Sequence, residues 1–96
     1  MPFEWDEQKN QANIAKHGIS FQRAQQIFAG PTLDRVDDRR DYGETRTISL
    51  GRIERILIVA VAHTDRVGVT RHISARSTKR SERTLYEAAR QKRTER

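Results

Sequence analysis

The chain of 96 residues has no cysteine, so neither a disulfide framework nor a thiolate zinc site can be built. Histidine is scarce. His17, His63 and His72 fall on different elements, and no H-E-x-x-H spacing exists. The acids Asp37, Asp38 and Asp41 cluster, but Arg39 and Arg40 interrupt them and the glycine pattern of a calcium loop is missing, so a solvated loop is expected. No glycine-rich phosphate loop is present either. Neither a metal nor a cofactor is expected. The longest apolar run falls far short of the roughly 20 residues that a membrane span needs. The opening Met1-Pro2-Phe3-Glu4-Trp5-Asp6 lacks the basic and apolar regions of a signal peptide. A cytoplasmic location is the expectation.

Hydrophobic residues make up 34% of the chain and charged residues 33%, which lies at the polar end of the globular range. The apolar run Ile56–Ala62 argues against disorder. Residues 1–96 are expected to form one domain, since single cores take up about 50–200 residues. Such a core is thin, so an active site would be a shallow surface groove. The charge is unevenly placed. Residues 1–70 hold ten Lys/Arg and ten Asp/Glu, whereas residues 71–96 hold nine against three, so the whole net charge of +6 lies in the last quarter. A clustered cationic patch attracts polyanions, although a block of like charge can also be a solvated tail.

Asp6 and Gly18 have the chemistry of an N-cap and a left-handed C-terminal stop, which predicts a helix to His17. Ser20 and Gly30-Pro31 bound a second helix, with Phe21, Ala24, Ile27 and Phe28 on its buried face. Together they make a helical hairpin. After Pro31 the period changes to two. Leu33–Val36, Thr45–Leu50, Arg55–His63 and Val69–Arg76 read as strands, with turns at Gly51–Arg55 and Thr64–Gly68. The third is apolar on both faces and belongs at the sheet centre. In the fourth, strict alternation puts Val69, Arg71, Ile73 and Ala75 on one face and Thr70, His72, Ser74 and Arg76 on the other. From about Thr78 a helix is expected with Leu85, Ala88 and Ala89 as its apolar stripe, frayed beyond Gln91. The fold class is therefore α+β: an N-terminal helical hairpin, a three- to four-stranded antiparallel sheet and a C-terminal helix.

Cationic and acid–base chemistry suited to phosphate remains. Arg71 lies on the apolar-looking side and should meet an acid, Glu44 being the choice; a structural ion pair and a phosphate contact both fit it. Arg76 opens onto the basic helix with Lys79, Arg80 and Arg83, whose guanidinium groups suit phosphate oxygens. Glu82 can serve as a general base on a ribose 2′-hydroxyl, or as a helix-surface ion pair with Arg83 or Lys79, and Tyr86 can stack on a base. Lys9, Asn13 and His17 recur at i, i+4, i+8 as one polar stripe. His17 fits a proton shuttle, or a favourable partner of the helix dipole. The stripe, the polar face of the last strand and the start of the last helix are expected to converge on one groove.

The order of these pieces resembles the BrnT family of type II toxins, which belongs with the RelE-like ribonucleases. The matching segments are Phe3-Glu4-Trp5-Asp6 with Lys9, Asn13 and Lys16-His17-Gly18, then Phe21, Ala24 and Phe28, and Gly43-Glu44-Thr45-Arg46 with Gly51. The block Arg71-His72-Ile73-Ser74-Ala75-Arg76, with Glu82, Arg83 and Tyr86, completes the match. The resemblance implies a metal-independent endoribonuclease acting by 2′-hydroxyl attack on the adjacent phosphate. It also implies a BrnA-type antitoxin partner with a ribbon-helix-helix DNA-binding domain, through which the complex binds its own promoter. Under this reading Arg71, Arg76, Glu82 and His17 are the catalytic candidates. Lys9, Asn13, Lys16, Arg46, His72, Lys79, Arg83 and Tyr86 are the RNA contacts. His72 departs from the pattern, standing where such toxins usually carry an aliphatic residue.

Two other readings compete. Helix, Gly18, helix looks like a helix-turn-helix, yet its second helix offers only Arg23 and three glutamines, and the basic charge lies elsewhere. A non-catalytic protein that holds a nucleic acid or an acidic partner with the basic helix needs the same cations.

Overall fold

Helix α1 (Glu7–His17) starts where the Asp6 carboxylate accepts hydrogen bonds from the Gln8 and Lys9 N–H groups at 2.8 and 3.3 Å. It stops at Gly18, which is left-handed (φ 72°) and donates its N–H to the Ile14 carbonyl. Ser20 caps α2 (Phe21–Ala24) by accepting from the Arg23 N–H at 3.0 Å, but after one turn the backbone tightens into a 3-10 segment, Gln25–Ala29. The expected second arm of a helical hairpin is thus a short composite turn. The computed structural model describes residues 2–54 and 57–94.

Five strands follow the order β1-β5-β4-β3-β2: β1 (Phe3–Glu4), β2 (Leu33–Asp37), β3 (Arg46–Ile53), β4 (Leu57–Arg66) and β5 (Val69–Ser77). The fold class is α+β, as the sequence predicts, and all but one of the strand pairings are antiparallel. The expected sheet of three or four strands gains β1, which pairs in parallel with Thr70 and Arg71 of β5. Two residues are too few to show a period. Strand β4 lies at the centre, with Val59 and Val61 buried on one side and Ile58 and Ala60 on the other. Arg55 and Ile56, at the expected start of that strand, lie outside the described residues.

The strands run longer than expected. β3 continues through Gly51 to Ile53, and the chain turns at Glu54 in a left-handed conformation (φ 53°). Gly51 is therefore not a turn residue. It is where the 3-10 segment touches the sheet, since a Cβ there would stand 2.5 Å from the Cβ of Ile27. Strand β4 likewise continues through Thr64 to Arg66, leaving Val67 and Gly68 as the turn.

Each face of the sheet has its own core. On one face Ile19, Phe21, Ala24 and Ile27 cover Ile53, Val59, Val61 and Ala75. On the other, helix α3 (Arg80–Thr94) lays Tyr86 against Ile48, Leu50, Ile58 and Ala60. The expected stripe of Leu85, Ala88 and Ala89 does not carry this contact. Tyr86 and Glu82, one turn apart, face inward, while Leu85 is 62% exposed. The helix begins two residues after Thr78, whose hydroxyl donates to the Ile58 carbonyl at 2.9 Å, and it extends past Gln91.

Candidate functional site

A bulge decides where the arginines point. His63 of β4 faces His72 and Ala62 faces Ser74, so Ile73 is the extra residue on β5. Strict alternation would separate Arg71 from Arg76. With Ile73 inserted, Arg71 opposes Thr64 and Arg76 opposes Ala60, and both project on the α3 side. Arg35 of β2 opposes Ile48, and Arg46 of β3 precedes Ile48 by two, which brings two more arginines to that side. Helix α3 covers only part of this face. The arginines therefore stand around a shallow basic surface.

Glu82 organises it. Arg76 donates to both Glu82 oxygens, from Nη1 at 2.8 Å and Nη2 at 2.9 Å, and the Lys79 N–H donates to Oε1 at 2.8 Å. The Arg35 guanidinium lies 3.9 Å from the same carboxylate. With the Glu82 side chain only 10% exposed, the Arg76 fork and the Lys79 N–H hold its pKa at about 2 despite burial. Such a carboxylate is too weakly basic to take a proton from a hydroxyl. Both Glu82 oxygens are taken up by Arg76 and the Lys79 N–H, which fits a group that orients Arg76 better than the general base expected from the sequence. The same bond raises the pKa of Arg76, and the Arg39 charge nearby opposes it.

A second cluster borders the first. Asp37 is buried, accepts from Arg39 Nε at 2.8 Å and Nη2 at 3.0 Å, and accepts from the Tyr42 hydroxyl at 3.1 Å. The Arg39 fork holds its carboxyl far below the usual range. Arg46 lies over the Tyr42 ring, 3.9 Å from its centroid. Asp37 is therefore not the solvated loop acid that its spacing suggests, because β2 extends to include it.

Arg71 pairs with Glu4 of β1 at 3.2 Å, and Glu44 pairs instead with Arg66. Three of the expected RNA contacts are removed by burial. His72 is 1% exposed, because the bulge turns it to the side of His63 and Val61. There Phe3, Trp5, Phe21 and Phe28 surround it, with ring centroids 5.4–5.9 Å away, and neither ring nitrogen has a hydrogen-bond partner. Burial in this box, with His63 beside it, lowers its pKa to about 4; the Glu4 backbone opposes the shift without forming a hydrogen bond of good geometry. Tyr86 is 4% exposed in the core, its hydroxyl directed at the Pro31 carbonyl at 3.4 Å, so it presents no ring to a base.

Asn13 is the third. Its amide donates to the carbonyls of Ile19 and Ala75, each at 2.8 Å, and its oxygen accepts from the Ala75 N–H at 3.1 Å. Ala75 turns these groups away from β4, toward the edge that the two-residue β1 leaves uncovered. Asn13 thus acts as a missing piece of strand. With Asn13 buried, the stripe is broken: Lys9 and Lys16 are exposed, His17 is half-buried, and among the described residues no hydrogen bond or ion pair joins them to the arginine face. The expected convergence on one groove is not seen. Lys79 is exposed beside the site, and the exposed Arg83 donates to the Thr78 carbonyl at 2.8 Å.

Sequence reasoning missed Arg35, Arg39 and Tyr42. Alternation along Leu33–Asp37 could have placed Arg35 with Leu33 on the core side, but nothing in the loop's composition signals Arg39 or Tyr42. Among the described residues no three His, Asp or Glu side chains gather as a metal site would require.

A family model described as the ribonuclease toxin BrnT of type II toxin–antitoxin systems matches residues 5–82. Among solved structures, the chain is similar to the Brucella abortus ribonuclease toxin BrnT, at 29% identity over 83% of this chain and 99% of that one, with a TM-score of 0.64. Comparison with curated proteins gives no match. The matched span includes α1, strands β2 to β5 and Glu82, and thus both halves of the Arg76–Glu82 pair. The chain belongs to the BrnT family of ribonuclease toxins of type II toxin–antitoxin systems.

Proposed function

We propose that this chain is a metal-independent endoribonuclease of RelE-like kind that acts in the cytoplasm and cleaves RNA by attack of a ribose 2′-hydroxyl on the adjacent phosphate. The observation that carries the reading is the arginine face, where Arg71 and Arg76 of β5 stand with Arg35 and Arg46 around a stretch of sheet that α3 leaves open. Attack on a phosphodiester adds negative charge to the phosphate oxygens. Fixed guanidinium groups stabilise that charge without rearranging, often the largest catalytic contribution. Arg76 meets the phosphate, its plane held by Glu82, and Arg71 and Arg46 bind neighbouring phosphates. Lys79 and Arg83 extend the positive surface along the RNA. Tyr42, already stacked under Arg46, is the aromatic group placed to meet a base. Lys9 and Lys16 are exposed on α1 and His17 is half-buried there, and the proposed phosphate contacts involve none of them.

The partner is an antitoxin of the BrnA type, whose ribbon-helix-helix domain carries the complex to its own promoter. The deciding experiment is RNA cleavage by the purified chain in excess EDTA. Cleavage should persist and leave 2′,3′-cyclic phosphate or 3′-phosphate ends. Products with 5′-phosphates, or activity lost to the chelator and restored by magnesium, would overturn the mechanism.

A further inference from the structure

Helix α3 does not lie flat on the sheet. Between it and the edge strand β2 runs an open groove of about 420 Å³, lined by Leu33, Leu50 and Leu85 with Arg35, Lys79 and Ser81 and by the acids Asp34 and Glu82. The groove passes at Leu33 into a shallower depression that ends at Arg90. A partner could thus follow the helix from Lys79 to Arg90, about 16 Å. A single exposed leucine needs no explanation. Leu85, however, stands over a formed concavity with two further leucines beside it, and among the described residues no strand pairs the outer side of β2.

Two cations and two carboxylates line this apolar floor, and they differ in where they point. The Arg35 side chain is 68% exposed and Lys79 is exposed. Of the acids nearby, Glu82 is turned inward onto Arg76, and Asp34 acts on His63 at the opposite face of the sheet. An occupant therefore meets leucines below and cations at the rim.

We propose that this groove docks the antitoxin through a segment that mixes apolar and acidic side chains. The family supplies a partner protein, and the groove's chemistry says which part of such a partner fits: apolar side chains on Leu33, Leu50 and Leu85, carboxylates on Arg35 and Lys79. A segment seated there covers Arg35 and closes one side of the arginine face, which is how docking would silence cleavage. That consequence rests on the proposed ribonuclease site; the docking itself does not.

The test is a calorimetric titration of the purified chain with the antitoxin encoded beside it, at two salt concentrations. Leu85→Ser, Ser81→Glu and Ser81→Lys are compared with the unaltered chain. All three changes lie at exposed positions, so melting curves should coincide. Leu85→Ser and Ser81→Glu should each weaken binding about ten-fold or more, as expected for a residue near the centre of an interface. Ser81→Lys should bind at least as tightly as the unaltered chain, and cleavage by each free variant should be unchanged. Unchanged affinity in all three would overturn the proposal. Equal weakening by Ser81→Glu and Ser81→Lys would overturn the acidic character of the segment. Lost RNA binding with unaltered antitoxin affinity would assign the groove to RNA. Failure of the ribonuclease reading would appear separately, as no cleavage by the unaltered chain, and would leave the titration readable.

Discussion

Arg71 and Arg76 share one face of β5 because Ile73 is inserted between His72 and Ser74. The same insertion sends His72 through to the other side, into a box of four aromatic rings. One extra residue thus does two things: it gathers Arg71 and Arg76 on the α3 side of the sheet and buries the histidine that lies between them in sequence.

The two arginines should differ in what their removal does. Arg76→Ala leaves the nearly buried Glu82 carboxylate with only the Lys79 N–H and the exposed Arg35 at 3.9 Å, so it should destabilise by about 1–3 kcal/mol. Arg71→Ala breaks a more open pair with Glu4 and should change stability by at most about 1 kcal/mol. Both should weaken RNA binding and reduce the logarithmic salt slope by about 0.7 each, the value for a phosphate contact on a single strand. Melting curves and salt titrations of both variants check this. An early melt for Arg71→Ala with normal RNA binding would make Arg71 structural.

Asn13→Ala should be among the most damaging changes on α1. It leaves the N–H and carbonyl of Ala75 without partners in a buried place, at about 1–3 kcal/mol for each unsatisfied group. Hydrogen exchange should show the Ala75 amide losing protection ahead of those at the centre of β4. If Ala75 stays as protected as before, β5 does not depend on α1 for its edge.

The histidine box predicts acid sensitivity. An unfolded histidine titrates near 6.5, whereas His72 is held at about 4. Between these values the unfolded chain takes up a proton that the folded one refuses, so stability is fully present above about pH 6.5 and falls as the pH drops toward 4. His63, also lowered by burial, acts in the same direction. The loss due to His72 should reach about 2 kcal/mol by pH 5. Glu82 and Asp37, whose pKa values are lowered by their arginine partners, contribute only below the ordinary carboxylate range. Denaturant melts at pH 7 and pH 5 measure the slope, and His72→Leu should remove most of it. A slope unchanged in that variant would place the acid sensitivity elsewhere.

Gly51→Ala should destabilise by about 1–3 kcal/mol, because the added methyl would meet the Cβ of Ile27 at 2.5 Å and the 3-10 segment must move away. Thermal melts test it directly. An unchanged midpoint would mean that this segment shifts freely.

Much of the fold was legible in the chain because the signals are local. A cap needs only its own side chain and the next three residues, so Asp6, Gly18 and Ser20 declared their roles at once. A run apolar on both sides must be covered on both faces, which suits the middle of a sheet, and β4 lies there. The excess of positive over negative charge in residues 71–96 was equally legible, and most of it falls on β5 and α3. What sequence could not decide depends on partners distant in the chain. Whether Tyr86 or Leu85 faces the sheet is set by how α3 leans on Ile48 and Leu50, and a narrow apolar stripe does not specify that angle. Asn13 reads as polar surface until a strand two residues long leaves the Ala75 backbone in need of it. Above all, a single-residue bulge has no signature in a strand of alternating polar and apolar residues, and it reverses the face of every residue beyond it. The arginine site existed in the sequence as a composition; tertiary pairing of His63 with His72 made it a place.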